Sequence, residues 1–440
     1  MGCAQSTVKE RALRGSSFAP KSRLKGTTVV EVIKAGHLPC MDFGGLTDAY
    51  VEMSVIDEYG IPASTEKTLC CHKNLNPIFH GFLAIPYLLS DSDNLFFRVW
   101  DHDDVGADEK IGTADIIYSE LKHRMGEEIT IELNMEARHR SKDGSNPSVT
   151  FRLVSATPGD REVVEKEIFI IRHGQSKWNE GQSKRNVKEL VGQVDHELTK
   201  LGIEQAQNFN SRWKEAKKNG GGEEDIEHFL SCQKIFSSPL TRAAQTALLT
   251  CEDHPMILQD GLTLLRNLRE VKNFGSFDTV GKHSGNAIKT NVKEKIDKEL
   301  GTRAANKLTA PTMNIHDAEG HWWTSLEKKE DGKDILERQK DLFAFLRYGV
   351  SADKIILVGH SHFFRDLVRK NFSDAYRAAE PEWTSSLERR KLGNSACMKI
   401  SVKWESPNPM ARPQISNAKL VFGSSLAPET SSRSVHAPSS

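Results

Sequence analysis

Four side chains suited to holding a doubly charged anion fall at three places along the chain: Arg172 with His173, Arg242, and His360. Each follows a short apolar run. Ile168 to Ile171 (IFII) stops at Arg172-His173-Gly174. Lys234 to Ser238 (KIFSS) precedes Pro239 and a helical pattern with Arg242 in its first turn. Lys354 to Val358 (KIILV) leads into Gly359-His360-Ser361. Such runs read as buried strands delivering polar groups at their carboxyl ends, where α/β sheets place ligands. If the strands lie side by side in one parallel sheet, the four side chains converge on a crevice beside helix N-termini, whose free amides favour an anion.

Phosphate is the anion these residue types select. Two arginines stay protonated and grip oxygens bidentately, offsetting the charge that repels a nucleophile. A neutral His173 can then attack phosphorus and carry it covalently, helped by Arg172, whose like charge lowers the imidazole pKa. His360 would donate a hydrogen bond to charge developing in the transition state. A proton must also reach the leaving oxygen, and Glu270, in Asn267 to Gly275 (NLREVKNFG), is the candidate donor, kept protonated by burial near the pocket. Each residue alone has an ordinary explanation: strand-end histidines bonded to carbonyls, a first-turn arginine, a solvated glutamate. One shared site explains them jointly. His362, His321, Trp322 and Trp323 are expected to be structural, with a lid wall the alternative for the last three.

The motifs follow one order: RHG at Arg172 to Gly174 with Asn179 after it, GQVDHELTKLG at Gly192 to Gly202, SSPLTRAAQTA at Ser237 to Ala247, LRE at Leu268 to Glu270, and VGHSHFFR at Val358 to Arg365. In that order they resemble the histidine phosphatase superfamily, which includes the cofactor-dependent phosphoglycerate mutases. The likeness runs from Lys166 to Val402. It implies an α/β domain with a mostly parallel sheet flanked by helices, and no cofactor for that domain. His173 would be the nucleophile, Arg172, Arg242 and His360 the phosphoryl-binding set, Asn179 a pocket residue and Glu270 the acid. The chain departs from the mutases in the Glu270-Val271-Lys272 context and in a longer insertion, Glu180 to Val191.

A length of 440 residues is long for one core, so two domains are expected. Zero formal net charge gives no bulk attraction to nucleic acid, and no nucleic-acid partner is expected. No apolar run approaches the length of a membrane span, and the amino terminus lacks the apolar stretch of a signal peptide. The seven cysteines are scattered without framework spacing, which fits a reducing compartment. Cys70-Cys71-His72 lacks zinc-site spacing and reads as strand packing.

Met1-Gly2-Cys3-Ala4-Gln5-Ser6 fits the pattern in which Gly2 takes myristate, with Cys3 placed for palmitate. One acyl chain binds membranes only at about 10⁴ M⁻¹, so a second signal is needed. Cys3 and the basic arm of Lys9, Arg11, Arg14, Lys21, Arg23 and Lys25 supply candidates. A disordered basic leader with a chance glycine is the competing explanation.

Between Thr27 and Leu153 short alternating runs, punctuated by Pro, Gly and Asp, predict an antiparallel β-sandwich. Two of its loops are acidic, Leu38 to Tyr50 with Asp42 and Asp48, and Val99 to Gly112 with Asp101, Asp103, Asp108 and Glu109. Clustered carboxylates repel unless a hard cation sits among them, and calcium is the natural one. An EF-hand is excluded for Asp101 to Gly112, whose twelfth position is glycine. With Asn76-Pro77 and Phe79 between them, these loops resemble a C2 domain over Leu24 to Ala156. That likeness implies Asp42, Asp48, Asp101 and Asp103 as calcium ligands, with Glu109 where aspartate is usual, and an anionic phospholipid membrane as partner. A calcium-independent C2 fold is the alternative.

The expected organisation is an acylated basic arm (1–24), a C2-like domain (25–156), a histidine phosphatase-like domain (165–403) and a disordered Ser/Pro/Ala-rich tail (404–440), with a hinge at Ser155 to Arg161. Gly275 to Glu330 shows weak helical patterns and no clean strand. The expected function is a phosphohydrolase acting on a phosphorylated substrate at the cytoplasmic face of a membrane. The alternatives are mutase-like phosphoryl transfer and a non-catalytic calcium and lipid adaptor.

Overall fold

A computed structural model describes residues 26–41, 46–103, 106–135, 144–158, 163–218, 224–272, 277–323, 329–405 and 411–428. The described residues of the first third include the strands β1 (Gly26–Gly36), β2 (Ala49–Ile56), β3 (Pro62–Lys67), β4 (Ile78–Ile85), β5 (Asn94–Asp101), β6 (Glu109–Ile117), β7 (Ile129–Glu132), β8 (Asn134–Met135) and β9 (Ser148–Pro158). They pair as two antiparallel sheets, β4-β1-β9-β7 and β3-β2-β5-β6-β8. Val30, Val32, Val51, Phe97 and Phe151 fill the space between, so the expected sandwich is present. Ser155 to Pro158, within the stretch expected to be a hinge, belong to a strand. β9 continues to Pro158 because the start of β1 offers partners, with Gly26 opposite Pro158 and Thr27 opposite Thr157.

The remainder builds one mixed sheet from β10 (Val164–Arg172), β11 (Lys234–Ser237), β12 (Leu262–Leu264), β13 (Met313–Asn314), β14 (Lys354–Gly359), β15 (Cys397–Trp404) and β16 (Gln414–Val421). The order is β13-β12-β11-β14-β10-β15-β16, parallel from β13 to β10 and antiparallel at β15 and β16. Its helices include α1 (Lys177–Lys184), α2 (Lys200–Lys218), α3 (Thr241–Thr250), α4 (Asn286–Leu300), α5 (Gly332–Ala344) and α6 (Ser361–Asn371). Along β10 the apolar run alternates faces. Phe169 and Ile171 pack with Phe209, Ala244 and Ile288 of α2, α3 and α4. Ile168 and Ile170 pack with Leu342 and Leu367 of α5 and α6. Each buried side chain contributes about 1.5–3 kcal/mol, so a one-residue slip that exchanged the faces is excluded, and the strand end is fixed in place.

The expectation of a disordered tail from residue 404 is overturned for part of that stretch. Gln414 to Val421 adds β16 against β15, because Ile415, Ala418 and Val421 supply buried contacts at one edge of the sheet. Two-residue β13 likewise adds an edge strand inside the segment expected to lack one.

Behind the Arg172-His173-Gly174 turn the backbone of α2 comes close. A Cβ on Gly174 would meet Gly202 O at 2.5 Å, and one on Gly202 would meet Gln175 O at 2.1 Å. Neither contact can relax by side-chain rotation. Gly202→Ala is therefore expected to cost about 1–3 kcal/mol by overpacking and to displace the turn carrying His173. Denaturant unfolding alongside activity measurements checks this.

The two domains are joined through Arg266, in the 3₁₀ turn Arg266–Leu268. Its guanidinium crosses into the sandwich, donating to Ile78 O (2.9 Å) and Phe79 O (2.6 Å) of β4 and to Cys71 Sγ (3.0 Å). Its Nε lies 3.3 Å from Asp317 Oδ1. Cys71, placed by its sequence in strand packing, thus also helps form the joint. Among the described residues no helix is long and apolar enough to cross a membrane.

Candidate active site

β14 lies between β10 and β11 in parallel, so the ends of all three open on one side of the sheet. Arg172 is opposite Gly359, and Ser237 is opposite Val358. The chain leaves β10 with His173 N–H donating to Gly359 O at 2.9 Å. It leaves β11 with Ser238 N–H donating to Val358 O at 2.9 Å. The His173 and His360 rings come to 5.0 Å between centroids. Arg242, one residue into α3, sends Nε–H to His173 Nε2 at 3.4 Å. Arg172, His173, Arg242 and His360 are all nearly fully buried, so the structure brings together the four residues that the strand ends single out.

The tautomer of His173 follows from one bond. Nδ1 lies 2.6 Å from Gly174 O, a carbonyl that can only accept, so Nδ1 carries the hydrogen and Nε2 keeps its lone pair. Protonation is disfavoured: the pKa lies well below the ordinary value, from burial first, then the charges of Arg242 and Arg172. The repulsion from Arg172 expected from the sequence is present but is the least of the three. His360 is lowered well below its ordinary value too, by burial and then by Arg242 and His173. Its Nε2 meets Ser238 Oγ at 2.9 Å, and its buried Nδ1 has no partner among the described residues. Arg172 is pushed down to about 10, chiefly by burial, and remains a cation near neutrality. Its Nη1 donates to Leu392 O at 2.7 Å.

Several residues hold this geometry that motif spacing alone did not single out. Thr246 Oγ1 accepts from Gly174 N (3.0 Å) and donates to Arg242 O (2.7 Å), tying α3 to the turn that carries His173. Asp195 accepts from Thr241 N (2.8 Å) and Thr241 Oγ1 (2.7 Å) at the start of α3. Asp278 takes Arg242, with Nη1 donating to its main-chain oxygen at 2.7 Å and Nη2 3.5 Å from Oδ2. Searching the loop after LRE for a second carboxyl would have found it.

The remaining sequence candidates sit differently. Asn179 closes a capping box on α1: its Oδ1 accepts from Ser176 N at 3.3 Å while its own N donates to Ser176 Oγ. Glu270 is buried beside the crevice, but both of its oxygens accept backbone amides, from Val271 (2.9 Å), Phe363 (3.0 Å) and His362 (3.3 Å), at the N-terminus of α6. Trp322 is buried and donates to His283 O.

At the loop end of the sandwich, Asp48 N–H donates to Asp101 Oδ1 at 2.6 Å, which brings the two acidic loops together. Asp101 also pairs with Glu109 across the β5–β6 ladder. Asp48 Oδ2 lies 2.8 Å from His72 Nδ1, and Oδ1 accepts from Lys73 N at 2.7 Å. Asp108 accepts from Tyr50 OH at 2.7 Å and Asp103 N at 3.2 Å, and Oδ1 lies 2.9 Å from His102 Nδ1. Among the described residues no three His, Cys, Asp or Glu side chains are grouped to hold a metal. The expected ligand Asp42 and the acylation candidates Gly2 and Cys3 lie outside the described residues.

A two-sheet sandwich followed by an α/β domain with a buried His/Arg/His crevice defines a two-module class of protein. The chain carries a C2 domain, matched over residues 26–133, followed by a histidine phosphatase superfamily (branch 1) domain, matched over residues 168–380. The first module is 34% identical over 96 residues to Synaptotagmin-1 of Aplysia californica, covering 21% of this chain and 21% of that protein. It is 32% identical over 92 residues to Synaptotagmin 1 of Drosophila melanogaster, covering 20% and 18%. The chain thus spans about a fifth of the length of these relatives. Among solved structures, a C2 domain of plant Extended Synaptotagmin 1 matches at 24% identity and a TM-score of 0.24, covering 30% of this chain and 97% of that one. A putative alpha-ribazole-5'-P phosphatase from Escherichia coli matches at 17% identity and a TM-score of 0.32, covering 58% and 96%.

Proposed function

We propose that the protein is a phosphohydrolase working through a phosphohistidine, with residues 165–403 as its catalytic domain and residues 25–156 as a membrane-docking domain. The observation that carries the reading is the state of His173: neutral, with Nδ1–H held by Gly174 O and the Nε2 lone pair beside Arg242. Arg172 and Arg242 match the charge of a phosphoryl group, and the N–H of His360 binds an equatorial oxygen that gains charge in the transition state. Asn179 adds its side-chain amide. Attack by Nε2 forms the P–N bond as the ester oxygen leaves, and water then releases phosphate and restores the imidazole. A carboxyl at the crevice must protonate the leaving oxygen. Glu270, the candidate from the sequence, and Asp278 are the two carboxyls at hand. A panel of phosphopeptide, inositol phosphate, nucleotide and alkyl phosphate esters tests the reading. At least one ester is expected to be hydrolysed, and a blank across the panel favours the adaptor.

For calcium the described donors fit in kind, since Asp48, Asp101, Asp103 and Glu109 supply hard oxygen ligands from two touching loops. Asp48 would trade its bonds to His72 and Lys73 for the ion, and Asp42 would complete the set. Acylation at Gly2 and Cys3 beside the basic arm supplies the other half of the anchor, at the cytoplasmic face of a membrane. Sedimentation with phosphatidylserine vesicles is expected to rise with calcium and to fall on chelation or in Asp101→Asn. Gly2→Ala is expected to move the full chain from the membrane to the soluble fraction of cells. Vesicle binding indifferent to chelator removes calcium from the account, and unchanged fractionation removes the acyl group.

A further inference from the structure

We infer that the cleft between the two domains is a binding site for a small polyphosphorylated anion, held by Lys67 of the sandwich and by Arg269, Lys329 and Lys333 of the α/β domain. The site is separate from the His173 crevice and would bind whether or not His173 is a nucleophile.

A cavity of about 400 Å³ opens beside the Arg266 joint. That volume falls in the span of small-molecule pockets, roughly 300–1,000 Å³. The sandwich contributes Tyr50, Lys67 and His72 to the wall, and the α/β domain contributes Arg269, Trp323 and Lys333 among others. Six lining side chains are lysine or arginine and three are carboxylates. Two of the three carboxylates are already engaged. Glu330 takes Arg269 Nη2 at 2.8 Å and Arg338 Nη2 at 2.9 Å, and Asp334 takes Asp331 N–H at 2.8 Å. Lys67 Nζ stands 4.9 Å over the Tyr50 ring, and Lys329 and Lys333 make no ion pair among the described residues. A cleft with that imbalance focuses a positive potential on whatever enters it.

The wall also holds polar atoms with nothing to bond. Arg269 Nε, Arg338 Nε and His321 Nε2 are buried without a partner among the described residues. Burial first pushes Arg338 down to about 10, with Glu330 opposing and Arg269 adding to the fall. One carboxylate between two guanidinium groups leaves charge that the protein does not match.

The placement of the lysines selects the ligand. Lys67 ends β3, Lys329 lies in the loop before α5, and Lys333 is in the first turn of α5. Ammonium groups are point charges that meet phosphate oxygens without a fixed fork. Cations on two facing domains call for several negative groups on one small body, which a single phosphate or carboxylate lacks. Such a ligand would clamp the sandwich to the α/β domain, since its charges are answered from both.

The test uses the full chain carrying His173→Ala, so that the probe is not consumed, with a calcium chelator present. Titration calorimetry with myo-inositol hexakisphosphate is expected to show binding that Lys333→Glu weakens by about 10–100-fold, the worth of a hydrogen bond to a charged group. Lys67→Glu, on the other domain, should weaken it comparably. Both side chains are exposed, so unfolding temperatures without probe should stay near that of the parent, and the probe should raise the parent's most. Vesicles carrying a bisphosphorylated inositol lipid assign the source. Sedimentation that Lys333→Glu abolishes supports a lipid headgroup, and binding of the soluble probe without sedimentation supports a free anion. Affinity unchanged in Lys67→Glu and Lys333→Glu, an equal loss in the distant Lys217→Glu, or no binding of either probe overturns the site.

Discussion

His173→Ala is expected to reduce kcat by about 10⁴-fold or more, within the range seen when a covalent nucleophile is removed. The fold should survive. The imidazole makes two hydrogen bonds, to Gly174 O and from Arg242 Nε–H, so truncation costs about 1–3 kcal/mol for those bonds. The decisive measurement traps the intermediate. Wild type mixed briefly with labelled ester and quenched in base should retain label on the protein, because a phosphoramidate survives base and is lost in acid. His173→Ala should carry none. Label that persists in the variant places the nucleophile elsewhere, and a wild type that turns over without a labelled intermediate makes direct attack by water the better account. Circular dichroism on both proteins confirms that the comparison is between folded chains.

Arg266→Met is expected to destabilise the full chain by about 3–5 kcal/mol, the cost of removing one partner of a buried ion pair. Asp317 and Asp341 lie half-buried near the guanidinium, and desolvation raises both carboxyls against the opposing charge of Arg266. Without that charge two partly desolvated carboxyls have less compensation, and the β4 carbonyls of Ile78 and Phe79 lose their donor. Adding Asp317→Asn to Arg266→Met should recover part of the loss, since the second change removes a stranded charge. Equilibrium denaturation of the single and double variants measures both effects. A single variant within about 1 kcal/mol of wild type would show the joint to be incidental, by the ordinary scale of surface substitutions.

What could be read from residues alone was the strand-end grammar. IFII, KIFSS and KIILV are fully buried parallel strands, so they carry continuous apolar runs, and the polar residue ending each run is at the crevice by construction. The sandwich was legible because one face of each strand is packed and turn residues separate the runs. The tail strand was not. Gln414 to Val421 has few large apolar residues, and its order comes from an open edge at β15 that composition does not reveal. The Arg266 joint was equally invisible, because an arginine in a Leu-rich turn carries no mark of the carbonyls it will reach in a distant strand. Asp278 escaped for a related reason: its partner Arg242 stands in α3, 36 residues earlier in the chain, and the motif pattern does not mark the contact between them.

The last described residues act as a clasp on the crevice. Leu426 bridges to Leu392, Gly393 N–H donates to Ser425 O at 2.9 Å, and the Arg390 guanidinium donates to Leu426 O and Ala427 O. The carbonyl of Leu392 is the one that receives Arg172 Nη1. Shortening the protein after Trp404 would therefore do two kinds of harm: it would bare the rim of β15 to stray strand pairing, and it would loosen the turn that holds the Arg172 guanidinium at the crevice. Any recombinant catalytic fragment has to keep its carboxyl-terminal strap through Ala427.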